Sequence, residues 1–400
     1  MKNNRTFLEK LLDGAEVEWK PLGDVCNFQN GFAFKSSLFK DNGAPIVRIT
    51  NIDGKEVNLS DVKYFLLDDY NTDMTPYKVH KGDILIAMSG ATTGKIGFYN
   101  YEHPSYLNQR VGKFLPNTNI LNNRYLYHYL LSKVEDIYII SGGGAQPNLS
   151  SNRLMSEVLI PIPPLSVQTE IVKMLDALTA LTSELTSELI LRQKQYEYYR
   201  EKLLSHNDSE NSSQQKVDKD KLFSTSNIQW LHLNEIYKFQ YGIGNKIPTI
   251  GGEYPVYGSN GIVGSHNEYN SEDAPVIGHI GAYAGIVNWA EGKHFVTYNG
   301  IICNKINDNV NSRYAYYLLL SQNFIDKANK ASQPFISYDI LNKCIVPVPP
   351  IEEQQRIVSI LDKFETLTNS ITEGLPLAIE QSQKRYEYYR ELLLNFPGRE

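Results

Sequence analysis

Gly90-Ala91-Thr92-Thr93-Gly94-Lys95 comes closer to a phosphate-binding loop than other glycine-containing stretches of this 400-residue chain. A Walker-type loop needs four residues between its glycines and a Ser or Thr after the lysine to meet magnesium. Here three residues separate Gly90 from Gly94, and Ile96 follows Lys95. The stretch is therefore expected to be a β-turn. Gly142-Gly143-Gly144 is likewise a loop and not a dinucleotide fingerprint. The eight histidines show no HExxH or paired spacing, and Cys26, Cys303 and Cys344 lie far apart with no CxxC. A zinc site is not expected, and three isolated thiols suit a reduced cytoplasm. Asp68-Asp69 and Glu352-Glu353 read as surface charge. No Asn-Pro-Pro-Tyr run of an amino-methyltransferase and no nuclease-type acidic cluster occurs. The chain is expected to be non-catalytic and to bind no cofactor or metal itself.

Binding chemistry is better represented. Loop positions of the first half carry Lys35, Lys95, Gln109, Arg110, Gln146 and Asn148, and those of the second carry Lys246, His279, Tyr283, Asn299 and Gln333. Arg, Lys, Asn and Gln are the side chains that reach base edges and phosphates. Each of them, taken singly, is equally at home on an ordinary surface or turn. A net charge of −6 shows that the chain as a whole is not a basic nucleic-acid binder. A partner can supply the missing phosphate contacts. The 27 tyrosines favour interfaces as well as cores.

The elements that must position these residues are written twice. Ile160-Pro161-Ile162-Pro163-Pro164 returns as Val346-Pro347-Val348-Pro349-Pro350, and Ile171-Val172-Lys173-Met174-Leu175-Asp176 as Ile357-Val358-Ser359-Ile360-Leu361-Asp362. Tyr196-Glu197-Tyr198-Tyr199-Arg200-Glu201 returns as Tyr386-Glu387-Tyr388-Tyr389-Arg390-Glu391. A unit of nearly two hundred residues is too long for a solenoid repeat of about 20–50. The segments at 17–25 and 228–236, 124–131 and 313–320, and 145–150 and 332–337 extend the duplication. Short β-branched runs at 44–51, 83–87, 95–99, 275–280, 285–289 and 300–304 predict strand-rich modules, each followed by a helix near 124–132 or 313–321. The modules diverge most at 26–80 against 237–273.

Each half ends in a long helix. Ile171, Leu175, Leu178, Leu181, Leu185, Leu189, Tyr196, Tyr199 and Leu203 keep one face over 165–204. Forty residues span ~60 Å, too long for one globule, so the second copy at 351–394 is the expected antiparallel partner. Gly374 and Pro376 predict a kink or restart there. The Tyr-Glu-Tyr-Tyr-Arg clusters read as helix packing or partner contact in preference to base stacking. The polar 206–227 stretch reads as a linker, and Leu8-Glu9-Lys10-Leu11-Leu12 echoes Glu201-Lys202-Leu203-Leu204, as if the halves were circularly related. Thr182-Ser183-Glu184-Leu185 is repeated at once as Thr186-Ser187-Glu188-Leu189. Four helical residues advance about one turn plus ~40° and ~6 Å. The rotation is close to the twist of one base pair, about 34–36°; the translation agrees less well.

These paired Pro-rich helix starts with Gln168 and Gln354-Gln355, the turn at 89–97, the Gln-Pro segments and the Thr-Ser-Glu-Leu units resemble the specificity subunit of type I restriction–modification systems, the subclass with tetrapeptide spacer repeats, over essentially the whole chain. The resemblance implies an α+β protein with two mixed α/β target-recognition domains, 17–163 and 228–349. They would be separated by conserved helices at 164–205 and 350–396 packed as an antiparallel coiled coil, with a helical segment at 1–16. Each domain would read one half of an asymmetric bipartite site in double-stranded DNA. Two methyltransferase subunits would bring S-adenosylmethionine, and restriction subunits would bring ATP and magnesium. The competing reading is a coiled-coil adaptor whose modules bind protein. The resemblance leaves open which bases are read.

Overall fold

The computed structural model describes residues 7–143, 147–205, 228–244, 247, 251–329 and 332–396. The expected linker at 206–227 lies outside them. The chain divides into two compact units, residues 1–185 with 379–400, and residues 186–378. The division falls between Leu185 and Thr186, the junction of the two Thr-Ser-Glu-Leu units.

In the first unit, the strand Glu18–Pro21 pairs antiparallel with Leu159–Ile162, so Trp19 faces Pro161. A two-stranded ribbon suits Ile-Pro-Ile-Pro, because prolines cannot donate to a further ladder. One four-stranded antiparallel sheet runs in the order Cys26–Asn30, Val111–Pro116, Ile84–Ala87, Ile96–Phe98. A second runs Lys63–Phe65, Ala44–Val47, Ser105–Leu107, Lys78–Val79 and contains one parallel pair, Ile46 with Tyr106. The second unit repeats the ribbon with Gln229–His232 against Ile345–Val348. Its main sheet has six strands, in the order Tyr237–Tyr241, Gly300–Lys305, Ser271–Gly278, Val287–Val296, Tyr254–Gly258, Gly261–His266. The mixed α/β modules match expectation. The peripheral strands differ, as the divergence at 26–80 against 237–273 predicts.

One sheet of each unit, that containing Ile96–Phe98 or Val287–Val296, is backed by a helix, Asn123–Ser132 or Ser312–Ser321, started the same way. Asn122 Oδ1 accepts from the amides of Arg124 and Tyr125, and Asn311 Oδ1 from those of Arg313 and Tyr314. Such caps satisfy amides that the helix itself cannot. Tyr125 then donates to Pro161 O and Tyr314 to Pro347 O, both at 3.0 Å, tying each helix to its ribbon.

The first long helix spans Leu165–Leu204 as the stripe predicts. The second is two helices, Ile351–Asn369 and Gly374–Leu394, restarting at Gly374 with φ +82. Only glycine tolerates that backbone cheaply. In the first unit, Thr182 Oγ1 meets Ser382 Oγ at 2.8 Å, while Asp176 and Tyr386 share His128 as a partner. Moving back along one helix moves forward along the other, so the segments are antiparallel. Ile171, Leu175, Tyr386, Leu393, Leu394 and Phe396 belong to that unit's core. In the second unit, Tyr196, Leu203, Leu204, Ile357 and Leu361 occupy the corresponding core. The halves are thus circularly related, each module being completed by the helix end that precedes it cyclically. The Leu203-Leu204 pair is matched by Leu393-Leu394 and not, as the echo suggested, by residues 8–12. Phe7–Leu12 is a separate short helix with Leu8 buried in the same core as Leu393. Leu181 also departs from the expected stripe, being 40% exposed.

A polar clamp joins each module to its long helix. His128 is fully buried, with Nε2 2.8 Å from Asp176 Oδ1 and Nδ1 3.0 Å from the Tyr386 hydroxyl. A carboxylate cannot donate, so Nε2 carries the proton and Nδ1 accepts from Tyr386. Arg124 completes the pair with Asp176. In the second unit Tyr317 replaces the histidine, donating to Asp362 at 2.5 Å and Glu365 at 2.8 Å beside Arg313. Burial holds the His128 imidazole below its ordinary 6.5, only partly opposed by the bond to Asp176. Burial would raise Asp176, but bonds from His128 and Arg124 outweigh it and bring the carboxyl to about 2. Both folded values lie below the unfolded ones. Stability is therefore full above pH 6.5, declines as the unfolded chain takes up the histidine proton, and declines again between 3.8 and about 2. The melting temperature of the first unit should fall as pH is lowered from about 7 to 5, and His128→Gln should flatten that slope. An equal slope in the variant would remove His128 as the cause.

Candidate nucleic-acid interface

The Gly90–Lys95 stretch begins as one 3-10 turn, Gly90–Thr92, and four of its six amides are spent inside the module. Gly90 N donates to Pro147 O, Thr93 N to Gly90 O, Gly94 N to Ala87 O and Lys95 N to Thr92 O. Those amides are not available to a phosphate, and the turn instead organises its neighbours. Leu149 N donates to Met88 O at 2.7 Å and Met88 N to Arg110 O at 2.8 Å. Three separate segments, at 88–94, 108–110 and 147–149, are thereby stitched into one surface.

The second module builds the same surface from different residues. Gly281 N donates to Pro334 O at 2.8 Å, Ile336 N to His279 O at 2.9 Å, His279 N to Asn299 O at 2.8 Å, and Gly285 N to Gly278 O at 2.8 Å. Gly90, Gly94, Gly281 and Gly285 all take positive φ, so both turns are built on glycines at matching places. Close approach explains two others: a Cβ on Gly31 would lie 1.9 Å from Asn108 O, and one on Gly242 would lie 2.1 Å from Thr297 O.

The candidate residues distribute unevenly over these surfaces. Gln109, Arg110 and Asn148 are exposed and brought together, and Lys35 is exposed on the segment that follows Gly31. Lys95 is half-buried, its stem near Gly54. Tyr283 and Asn299 line one cleft of the second module, and Gln333 is exposed beside Pro334. His279 is buried, with Nδ1 3.0 Å from Tyr298 O and its ring 4.4 Å from that of Tyr241. It supports the turn from beneath. Gln146 and Lys246 lie outside the described residues. Sequence reasoning missed Asn260, Ile262 and Val263, which join Tyr283 and Asn299 in that cleft. They belong to the hairpin Tyr254–Gly258 and Gly261–His266, whose turn signal is Asn260-Gly261.

The Tyr-Glu-Tyr-Tyr-Arg clusters divide by helix face. Tyr196 and Tyr386 are buried, whereas Tyr198 and Tyr388 are 57% and 62% exposed. Among the described residues no group of His, Cys, Asp or Glu is arranged to hold a metal, and no helix is long and apolar enough to cross a membrane.

A module built twice, with matched loop surfaces of different chemistry carried on long paired helices, defines a duplicated recognition scaffold. A family model, the type I restriction modification DNA specificity domain, matches residues 15–195 and 233–381. The chain is 40% identical to S.HindORF215P of Haemophilus influenzae, which bears the name of a type I restriction enzyme specificity subunit, over 99% of this chain and 100% of that one. It is 32% identical to the EcoR124I/EcoR124II specificity subunit of Escherichia coli, covering 98% and 97%. Two solved structures share the fold. One is the S subunit of a type I system from M. genitalium, with TM-score 0.57, 19% identity and coverage of 97% and 98%. The other comes from work on assembly of the type I system, with TM-score 0.59, 18% identity and coverage of 95% and 97%. The chain belongs to the type I restriction–modification DNA specificity family. That family supplies DNA target specificity and not catalysis.

Proposed function

We propose that this chain reads an asymmetric, bipartite site in double-stranded DNA, each module taking one half through its stitched loop surface. The observation that carries this reading is the repetition of one set of backbone hydrogen bonds around two different sets of side chains. A shared frame with unlike side chains reads two unlike half-sites in one geometry.

The chain also docks two methyltransferase subunits, and restriction subunits join that complex. S-adenosylmethionine belongs to the former, ATP and magnesium to the latter. Two grooves at corresponding places in the two units support a pair of identical partners. One, of ≈ 280 Å³, lies between Trp19, Lys133 and Leu394; the other, of ≈ 760 Å³, between Trp230, Leu320 and Leu204. The exposed Leu191 and Tyr198 of the long helix add apolar contact area. The Thr-Ser-Glu-Leu units set the spacer between half-sites.

Sequencing genomic adenine methylation with and without this gene tests the reading. One bipartite motif should vanish on deletion. Retention of that motif after loss of both modules would sink the proposal in favour of a protein-binding adaptor.

A further inference from the structure

The two loop surfaces carry different chemistry at one matched position. Arg110 O accepts from Met88 N and Asn299 O from His279 N, each at 2.8 Å. Each residue immediately precedes the strand that neighbours the edge strand Cys26–Asn30 or Tyr237–Tyr241, namely Val111–Pro116 or Gly300–Lys305. Arg110 and Asn299 are therefore one position built twice. Arg110 is exposed and Asn299 half-exposed. A guanidinium presents a fork of donors that fits O6 and N7 of guanine, whereas a carboxamide presents a donor and an acceptor that fit N7 and N6 of adenine.

The surroundings differ in the same sense. Asn299 lines an open cleft of ≈ 390 Å³ with Tyr283, Ile262, Val263, Ile247 and Asn260, and none of the described lining residues is charged. Ile262 is 63% exposed and Tyr283 51%. Large apolar side chains clustered in water beside a binding loop mark an apolar ligand group. In the major groove that group is the 5-methyl of thymine. On the segments stitched to Arg110, Gln109 and Asn148 are exposed and polar.

We infer that the second module reads an A·T pair, Asn299 taking the adenine edge and the Ile262–Val263–Tyr283 wall the thymine methyl, while Arg110 takes a guanine in the other half-site. This rests on the proposal that these loops face DNA.

The test expresses the full chain with its methyltransferase partner and determines the methylated motif for wild type, Asn299→Ala, Asn299→Arg and Arg110→Asn. Asn299→Ala should relax one A·T position in one half-site, discrimination there falling about 5- to 150-fold. Asn299→Arg should admit guanine at that position, and Arg110→Asn should relax a guanine in the other half-site only. A second arm uses the wild-type complex and duplexes with single thymines replaced by deoxyuridine, which needs no variant to fold. One replacement in the Asn299 half-site should weaken binding about fourfold, the worth of one buried methyl. An unrelaxed motif in Asn299→Ala, relaxation of both half-sites together, or uracil tolerance throughout overturns the inference. Absence of any motif with the wild-type chain overturns the DNA-reading proposal itself.

Discussion

Replacing Gln168 by leucine should lower the stability of the first unit by roughly 3–5 kcal/mol, because three backbone groups lose their partner at once. The side chain is fully buried. Its Oε1 accepts from Asn122 N at 2.8 Å, and its Nε2 donates to Ile120 O at 2.9 Å and Pro163 O at 2.8 Å. Leucine fills nearly the same volume, so packing is kept and the cost is electrostatic. Each polar group left unsatisfied costs about 1–3 kcal/mol, less where water can still reach it. The damage also spreads, since Asn122 caps the helix that carries Arg124 and His128 to Asp176. For a unit of this size the loss corresponds to a fall in melting temperature on the order of 10 °C. Gln354 repeats the arrangement with Asn311 N, Asn309 O and Pro349 O. Gln354→Leu should therefore lower the transition of the second unit instead. Calorimetry on the full chain separates the two, and a shift under about 1 kcal/mol in both variants would show that water replaces the carboxamide.

Gly242→Ala should degrade recognition of one half-site while leaving the first unit folded. The added Cβ would lie 2.1 Å from Thr297 O and 2.4 Å from Val296 O. Those are backbone atoms of the loop that leads to Asn299, so relief requires moving the loop. Ile243 N to Val296 O at 3.0 Å and Tyr298 N to Gly244 O at 2.8 Å stitch the same strands together and would strain with it. Overpacking of this kind costs roughly 3 kcal/mol. The corresponding loss of half-site discrimination is about 100-fold. Gly31→Ala should do the same to the other half-site, its Cβ meeting Asn108 O at 1.9 Å. The methylated motif is the readout: each variant should degrade one half only. Equal degradation of both halves would mean that the modules do not read separately.

Much of this architecture was legible in order along the chain. The helix Leu165–Leu204 follows from its apolar spacing and the Pro-Pro before it, and the break before Gly374 from glycine and proline inside a helical pattern. The pairing of helix ends with modules was not legible. Tyr196–Leu204 and Tyr386–Leu394 are nearly identical in sequence. What assigns the second to the first module is a contact between distant residues, His128 with Tyr386. Leu181 fits the apolar period yet stays exposed, because period fixes a face and not the presence of a neighbour opposite it.

The sequence by itself determined the duplication, because the two halves keep the same residues in the same order, and the long helices, because their apolar spacing involves residues a few positions apart. Only the tertiary structure decided that Arg110 and Asn299 occupy one position, and that Ile262 and Tyr283 share a cleft. Their equivalence rests on backbone bonds between segments that are remote in the chain and have no common side-chain pattern to reveal it.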